Sequence, residues 1–270
     1  MEITATMVRE LREQTGLGMM DCKKALTENA GDFEKAHDWL RKRGAAVADK
    51  KAGRATGEGR IAAAVEKDFG CLVQIGTETD FVARNEDFAA FAQKVADAVS
   101  GSGKQPQQLA EVQAGDQSVE QMRQAAAMQL GENIQLGEVR TLAGQGKLHS
   151  YVHHDGSIGV LADIEGGDDQ LGRDICLHIA AMLPAALAAE DVAQEKIAKE
   201  REIYEAQAKE SGKPAEITAK MVEGRVRKYI ASVALLGQPF VKNPEVSVAK
   251  HLEEAKARVH GFALLTLAPN

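Results

Sequence analysis

Apolar positions in the first 44 residues recur with helical spacing and are interrupted by glycines. Val8 and Leu11 form one stripe behind a threonine N-cap, and the glycines at positions 16 and 18 end it. Two further stripes follow. Asp32 has the position of an N-cap for the second of them, which Gly44 closes. The pattern predicts a module of three short helices.

The stretch from Lys50 to Gly59 mixes charge with glycine and has no apolar period, which is typical of a linker. We therefore predict a first domain over residues 1–54 that consists of the three-helix module and its linker.

An internal repeat follows the linker. Each copy has two apolar strand patterns separated by a turn, then a helical stripe and a later strand. The first copy has strands at 61–65, 71–75 and 134–142 with a helix at 86–99, and the second has strands at 148–152, 158–164 and 262–267 with a helix at 169–187. We expect an α+β fold whose duplicated core consists of small antiparallel sheets covered by helices, with subdomains at 55–142 and 143–270.

The second copy contains an insertion at residues 190–228 that is dense in Ala, Glu and Lys. The segment Ser211-Gly212-Lys213-Pro214 divides it. Apolar residues lie near helical spacing on both sides of this break: Ile197, Ile203, Ile217, Met221, Val226 and Ile230. The pattern predicts a protruding antiparallel coiled-coil hairpin, which would bury too little to be a core and would serve as a handle for a partner.

Composition narrows the class of protein. The 270 residues include 40 acidic and 33 basic side chains, for a net charge of -7, so we expect no direct nucleic-acid partner. Three widely spaced cysteines match neither a zinc site nor a disulfide framework and fit a reducing compartment. The N-terminus has no apolar signal region, and no run is long enough to cross a bilayer. We expect a soluble, cytoplasmic protein without a membrane partner.

Two histidine positions resemble sites of chemistry. His153-His154-Asp155 offers metal ligands, but neighbouring residues on a strand point to opposite faces, so a solvated hairpin turn is favoured. His178 and Cys176 lie on an apolar helix without a paired acid or a nucleophile turn. We therefore predict no metal, no cofactor and no catalytic residue in this chain, which would not be an enzyme.

The most informative stretch is TDFVARN, from Thr79 to Asn85, which follows the second strand pattern. Helix capping explains its polar residues, because Thr77 and Asp80 have capping-box spacing and Asn85 can cap the next helix. Capping does not explain Phe81, which comes after the apolar alternation has ended. On the pattern alone, insertion into a partner and packing in the core are about equally favoured. Insertion would contribute about 1.5 to 3 kcal/mol of burial.

Several long motifs, in order and across nearly the whole chain, resemble those of bacterial translation elongation factor Ts. They are GLGMMDCKKAL at Gly16, TDFVARN at Thr79, SGKPAEI at Ser211, MVEGR at Met221 and GQPFVKNP at Gly237. The first module alone also resembles ubiquitin-associated domains, a generic likeness.

The resemblance implies a guanine nucleotide exchange factor for elongation factor Tu. It would bind elongation factor Tu in the GDP-bound and nucleotide-free states during translation elongation. It implies that Asp80 and Phe81 perturb the magnesium and phosphate end of the partner's nucleotide site, while Thr79 and Val82 hold the segment. Further contacts of the N-terminal module are implied at Met19 and Met20, with Arg12 and Lys23 as weaker candidates.

Two departures and two alternatives accompany this interpretation. The second copy has EGGDD after its strand, so only the first copy is expected to insert. Many family members continue into a C-terminal helical module, whereas this sequence stops at Asn270, so we carry over no contact from that module. Residues 1–44 alone would fit a ubiquitin-like adaptor, and Cys176 with His178 would fit a hydrolase. Asp80 acts either by repulsion near the phosphates or as a helix cap.

Overall fold

A computed structural model of the chain describes residues 2–210 and 214–267. The α-helices in these ranges are α1 Ala5–Thr15, α2 Met19–Glu28, α3 Phe33–Lys51, α4 Asp80–Ala83, α5 Glu86–Ser102, α6 Val119–Leu130, α7 Asp169–Met182, α8 Gln194–Glu210, α9 Ala215–Val233 and α10 Val248–Glu254. The strands are β1 Glu58–Glu66, β2 Phe69–Thr77, β3 Gln113–Ala114, β4 Gln117–Ser118, β5 Gln135–Ala143, β6 Lys147–Val152, β7 Ile158–Glu165, β8 Pro239–Phe240, β9 Asn243–Ser247 and β10 Arg258–Thr266.

Two three-stranded sheets confirm the predicted α+β class. The strand order is β1-β2-β5 in the first sheet and β10-β7-β6 in the second. In each sheet two consecutive strands pair, and a third strand, reached after at least one helix, pairs with the second of them. One topology is therefore built twice along the chain.

The structure divides into two compact units. The first contains the residues up to Thr141, Val152–Gly159 and the residues from Leu265 on, and the second contains Leu142–Tyr151 and Val160–Leu264. The division into domains at 1–54, 55–142 and 143–270 stays a prediction.

The N-terminal helices of the first unit share one apolar cluster. Thr4 caps α1 by accepting a hydrogen bond from the Met7 amide at 3.3 Å, and the first stripe, Val8 and Leu11, is buried. Cys22 of α2 and Leu40 of α3 complete this cluster, which also contacts α6. The predicted three-helix pattern is therefore present, although it packs on a neighbouring helix.

The third helix is longer than the sequence pattern predicted. It does not stop at Gly44 but continues to Lys51 and packs along α6. A Cβ added at Gly44 would lie 3.4 Å from the main-chain oxygen of Gln124, so this glycine lies at a contact between two helices and does not end one. The extension brings the fully buried Ala48 into the core of the first sheet. Only residues 52–57 lie between α3 and β1, so the connecting segment is shorter than predicted.

The core of the first unit packs β2 against α5. Phe88, Ala92 and Val95 on α5 are fully buried at helical spacing and belong to one cluster with the sheet residues Val73 and Ile75. β2 is paired with β1 to its last residue, Thr77, which lies opposite Glu58. The segment that follows β2 therefore begins at a defined point, at the end of the central strand of the sheet.

In the second unit, α7 packs closely against the sheet. A Cβ added at Gly172 would lie 2.3 Å from the ring of His149 on β6, so a side chain is excluded at this position of the helix. Ile175 and Ile179 are fully buried on α7. Asp168 caps the helix by accepting from the Leu171 amide at 2.8 Å.

The helices α8 and α9 form a pair in the second unit. Ala208, Val222 and Val226 are buried between them, with Ile197, Tyr204 and Ile230 packed against this cluster. The predicted stripe is wrong at Ile203 and Ile217, which are 40% and 49% exposed. At about 100° per residue, Ile203 lies roughly 120° around the helix from Ile197, whereas Tyr204 and Ala208 return to the same face. The predicted break at 211–213 lies outside the described residues.

We predict that Gly44→Leu destabilises the first unit by about 1 to 3 kcal/mol, because the side chain would push α3 away from α6. Gly224→Ala is the matched control: a Cβ at this position in α9 meets nothing within 4 Å. It should raise the free energy of unfolding by about 0.5 to 1 kcal/mol. Denaturant unfolding followed by circular dichroism measures both changes. An unchanged midpoint for Gly44→Leu would contradict the close contact.

Candidate partner-binding site

The TDFV segment forms a single helical turn directly after β2. Thr79 is the N-cap of α4, and its hydroxyl accepts a hydrogen bond from the Val82 amide at 3.4 Å. The predicted capping box with Thr77 as cap is wrong, because Thr77 still belongs to β2 and is fully buried. Asp80 is therefore the first helical residue, where a carboxylate lies near amide groups that lack helical partners.

Phe81 is the most exposed large hydrophobic residue in the described ranges, at 83%. On this short turn Val82 packs against the core cluster and Ala83 is buried, so the adjacent Phe81 faces outward. Asp80 beside it forms an exposed pair with Arg84 at 3.3 Å, an interaction that contributes little in water. The structure thus excludes the alternative in which the ring packs in its own core.

The carboxylate of Glu132, in the turn after α6, accepts hydrogen bonds from the segment that leads into α4. One oxygen of Glu132, Oε2, accepts from the Thr77 hydroxyl at 2.7 Å and from the amides of Glu78 and Thr79, each at 3.0 Å. The other oxygen, Oε1, accepts from the Thr79 hydroxyl at 2.6 Å. Burial acts to raise the pKa of Glu132, but these hydrogen bonds outweigh it and the net effect lowers the pKa. The group is therefore an ionised acceptor at neutral pH.

A second set of hydrogen bonds links the turn after α6 to the end of α3 and the segment between α3 and β1. The Glu78 carboxylate accepts from the Asn133 amide at 2.6 Å and from Arg54 at 3.3 Å. The buried Asn133 side chain donates to the carbonyl of Arg54 at 2.8 Å. Lys51 at the end of α3 also donates to the carbonyl of Gly131. The turn after α6 thus bonds to the TDFV segment and to the residues that follow α3.

Sequence reasoning missed Glu132 and Asn133. The available signal was a polar pair, Glu-Asn, placed between the helix-ending Gly131 and the apolar Ile134. Buried polar groups require hydrogen-bond partners, so two such residues at the entrance of a strand suggest a structural role. The partners themselves are more than 50 positions away and are invisible to local pattern.

The predicted residues of the N-terminal module lie on the surface. Met19 and Met20 are the first two residues of α2 and are 60% and 77% exposed. Lys23, also exposed, is four residues after Met19 and shares its face of the helix. Arg12 is exposed near the end of α1. These side chains lie on α1 and α2, whereas Thr79 caps α4 and Asp80, Phe81 and Val82 lie in it.

Comparison with known proteins gives the family. The family model described as Elongation factor TS matches residues 78–268. Elongation factor Ts of Nitrosospira multiformis is 49% identical over 97% of this chain and 89% of that protein. Elongation factor Ts of Nitrosomonas eutropha is 50% identical over 97% of this chain and 90% of the relative. The chain belongs to the elongation factor Ts family.

Membership of the elongation factor Ts family confirms the resemblance that the sequence motifs indicated. The matched region begins at Glu78 and includes both the TDFV turn and Glu132. Across the described part of the chain, no helix is both long and apolar enough to span a membrane.

In this member of the elongation factor Ts family, the hairpin turn predicted at His153-His154-Asp155 is confirmed, but the argument that neighbouring strand residues could not share a metal is wrong. The three residues lie in the turn after β6, not on the strand. The two imidazole centroids are 4.3 Å apart, and one ligand atom from each of the three residues lies within 4.8 Å of the others. Asp155 also accepts from the Ser157 hydroxyl at 2.6 Å, which lowers the pKa of its carboxyl. That no metal is needed here stays a prediction.

His178 and Cys176 do not provide the base and the nucleophile that the hydrolase alternative requires. His178 is fully buried, its Nδ1 accepts from the Val241 amide at 3.1 Å, and its Nε2 lies 3.0 Å from Gln238 Oε1. The proton is therefore on Nε2, which donates to Gln238, and burial lowers the pKa of this imidazole. Burial raises the pKa of the Cys176 thiol to about 12. Neither group is available as a base or nucleophile.

We predict slow reaction of the native thiols with Ellman's reagent at pH 8. All three cysteines are buried, and burial raises the pKa of Cys71 to about 11 and of Cys176 to about 12, so the thiolate fraction is very small. Labelling should be at least roughly 100-fold slower than in denatured protein. Fast native labelling of Cys176, located by mass spectrometry, would restore the nucleophile hypothesis.

We also predict a pH effect of Glu132 on stability. Because folding lowers the pKa of Glu132 below its ordinary value of 4.5, the stabilisation is complete above that value and is lost as pH falls through the folded pKa. Glu132→Gln should therefore lose less stability than the wild type between about pH 5 and pH 3. Thermal unfolding over this range tests it, with Glu111→Gln on the surface as control. Identical slopes for wild type and Glu132→Gln would contradict the prediction.

Proposed function

We propose that this chain is a guanine nucleotide exchange factor for elongation factor Tu that accelerates GDP release during translation elongation. It acts on the GDP-bound and nucleotide-free partner and is not itself an enzyme. The observation that carries this proposal is the 83% exposure of Phe81, in a turn that Glu132 holds, in a member of the elongation factor Ts family.

Phe81 acts as an apolar wedge. An exposed phenyl ring gains about 1.5 to 3 kcal/mol when a partner pocket removes it from water. In the free protein Thr79 and Val82 anchor the turn beneath the ring, through the Glu132 bond and through the core. The free energy of inserting the ring is thus available to displace elements of the partner.

Asp80 places a carboxylate next to Phe81 on the same turn. In a GTPase, Mg²⁺ bridges phosphate oxygens and requires near-octahedral geometry, so a small displacement of its surroundings weakens nucleotide binding without breaking a covalent bond. A carboxylate near the phosphates disfavours the anionic nucleotide by repulsion. Asp80 and Phe81 therefore perturb the magnesium and phosphate end of the partner's site together.

Thermodynamic coupling makes the cycle reversible. Whatever factor the exchange factor removes from the affinity of the partner for GDP, GDP removes from the affinity of the partner for the exchange factor. A transient ternary complex is required, and rebinding of nucleotide releases the exchange factor.

The N-terminal module provides a second contact. Met19 and Met20 are flexible, polarizable side chains that adapt to a partner surface, and the exposed Lys23 on α2 and Arg12 on α1 add positive charge to the module. The pair α8 and α9 serves as an accessory contact. This function places the protein in the cytoplasm, without direct nucleic-acid or membrane partners.

The ubiquitin-like adaptor is the weaker alternative. It requires residues 1–44 to act as an independent module, but α3 runs past that limit to Lys51 and Ala48 lies in the core of the first sheet. The apolar cluster of residues 1–44 also packs against Ala125 and Met128 of α6, so removing the remainder of the chain would expose apolar surface of the module.

We predict that Phe81→Ala reduces the acceleration of fluorescent GDP release from purified elongation factor Tu by roughly 10- to 100-fold, equivalent to the 1.5 to 3 kcal/mol of lost burial. Val65→Ala, which truncates another exposed apolar side chain of the first unit, should have little effect. Circular dichroism checks that both variants are folded. An undiminished rate for Phe81→Ala would show that the wedge assignment is wrong, and no acceleration by the wild type would overturn the function.

A further inference from the structure

We propose that Glu132 is a positioning residue for nucleotide exchange, whose carboxylate holds the Thr79–Val82 turn so that Phe81 is presented before the partner arrives. The proposal rests on the exchange function and assigns a role to a residue that does not itself need to touch the partner.

The turn has little else to hold it. α4 is only four residues long, and an isolated helix of that length is unstable in water. Its cap bond, from the Val82 amide to the Thr79 hydroxyl, is long at 3.4 Å, and Phe81 is 83% exposed. Val82 and Ala83 anchor only the inner side of the turn. The orientation of its first residues therefore depends on the polar contacts behind it.

Glu132 satisfies the donors that face it at the end of β2. Its Oε2 receives three hydrogen bonds and its Oε1 one, and two of the four come from main-chain amides that leave the sheet. The Thr79 hydroxyl donates to Glu132 while it accepts from the Val82 amide. A continuous chain of hydrogen bonds thus runs from Glu132 into the first turn of α4.

The position of Glu132 is itself fixed. Gly131 ends α6 with φ +74°, a left-handed conformation that favours glycine. Asn133, 5% exposed, bonds to the carbonyl of Arg54 through its side chain and to the Glu78 carboxylate through its amide. Glu132 is therefore held between a helix end and a buried polar residue, and the same turn is tied to the segment that leads back to the N-terminal module.

A carboxylate suits this place better than any other side chain, because all four of its partners donate. A glutamine can still offer its carbonyl oxygen to the three donors at Oε2. Its NH₂ group would face the Thr79 hydroxyl. The direction of that hydrogen bond can reverse, because the hydroxyl oxygen can accept from the NH₂ group. Glu132→Gln should therefore retain much of the arrangement, whereas Glu132→Ala leaves the Glu78 and Thr79 amides without their acceptor.

The expected kinetic effect is on affinity more than on the maximal rate. If the presenting conformation becomes a minor state, the apparent dissociation constant rises by the inverse of its population, while the bound complex is unchanged. For Glu132→Ala we expect the half-saturating concentration in GDP release to rise about tenfold, with the maximal rate within about twofold of the wild type. Glu132→Gln should lie close to the wild type.

The experiment has two arms on the full-length protein. Hydrogen exchange by mass spectrometry on the free protein should show at least roughly tenfold faster exchange in peptides covering residues 77–85 for Glu132→Ala, with partial protection in Glu132→Gln. Saturation curves of fluorescent GDP release from elongation factor Tu form the second arm. The matched control is Asp163→Ala, which removes a buried carboxylate that accepts the Gln145 and Gly146 amides at 2.8 and 2.9 Å in the other unit.

The outcomes separate the possible failures. Unchanged exchange at 77–85 in Glu132→Ala would overturn the positioning role, whatever happens to GDP release. Equal effects of Glu132→Ala and Asp163→Ala on half-saturation would show a general loss of stability and would also overturn it. If the Ala variant fails to fold by circular dichroism, Glu132→Gln combined with Thr79→Val, which removes the Thr79 hydroxyl and its bonds to Glu132 and to the Val82 amide, must show the same rise in half-saturation. If the wild type itself does not accelerate release, the exchange function fails, and with it the role of Glu132.

Discussion

The first unit depends on satisfying the polar groups where β2 leaves its sheet. The amides of Glu78 and Thr79 follow the last residue pair of β1 and β2, and a half-buried segment with unpaired amides would be unfavourable. The carboxylate of Glu132 accepts from both, and from two hydroxyls. Since those bonds use main-chain amides and two threonine hydroxyls, the side chains of Asp80 and Phe81 are left to face solvent.

The two copies differ in the segment that follows their second strand. After β7, the second unit continues with Gly166 and Gly167, both at positive φ. A Cβ at Gly166 would lie 2.4 Å from the carbonyl oxygen of Lys256, and one at Gly167 would lie 2.3 Å from Leu171. The backbone there is packed so tightly that side chains are excluded. The same topology thus presents a side chain at one sheet end and closes the other.

Glycine also explains a difference between pattern and structure in the N-terminal helices. In a sequence, Gly44 after an apolar stripe looks like a helix end, since glycine is common at that position. In the fold it lies where α3 and α6 meet, and a Cβ there would already touch the main chain of Gln124. The helix therefore continues, and the module is joined to the first sheet through Ala48.

Hydrophobic periodicity and long motifs determined the α+β class, the repeated strand pattern, the helix starts at Thr4 and Asn85, and the family. These features are local, because burial of a stripe and satisfaction of a helix terminus are decided within a few residues. Only the tertiary structure decided that Phe81 faces solvent, that Thr79 and not Thr77 caps α4, and that Ile203 and Ile217 lie outside the helix seam. It alone revealed Glu132, whose partner Thr79 is 53 positions away. A hydrogen bond requires atoms to meet within about 3 Å, and the sequence does not state which distant residues the folded chain brings that close.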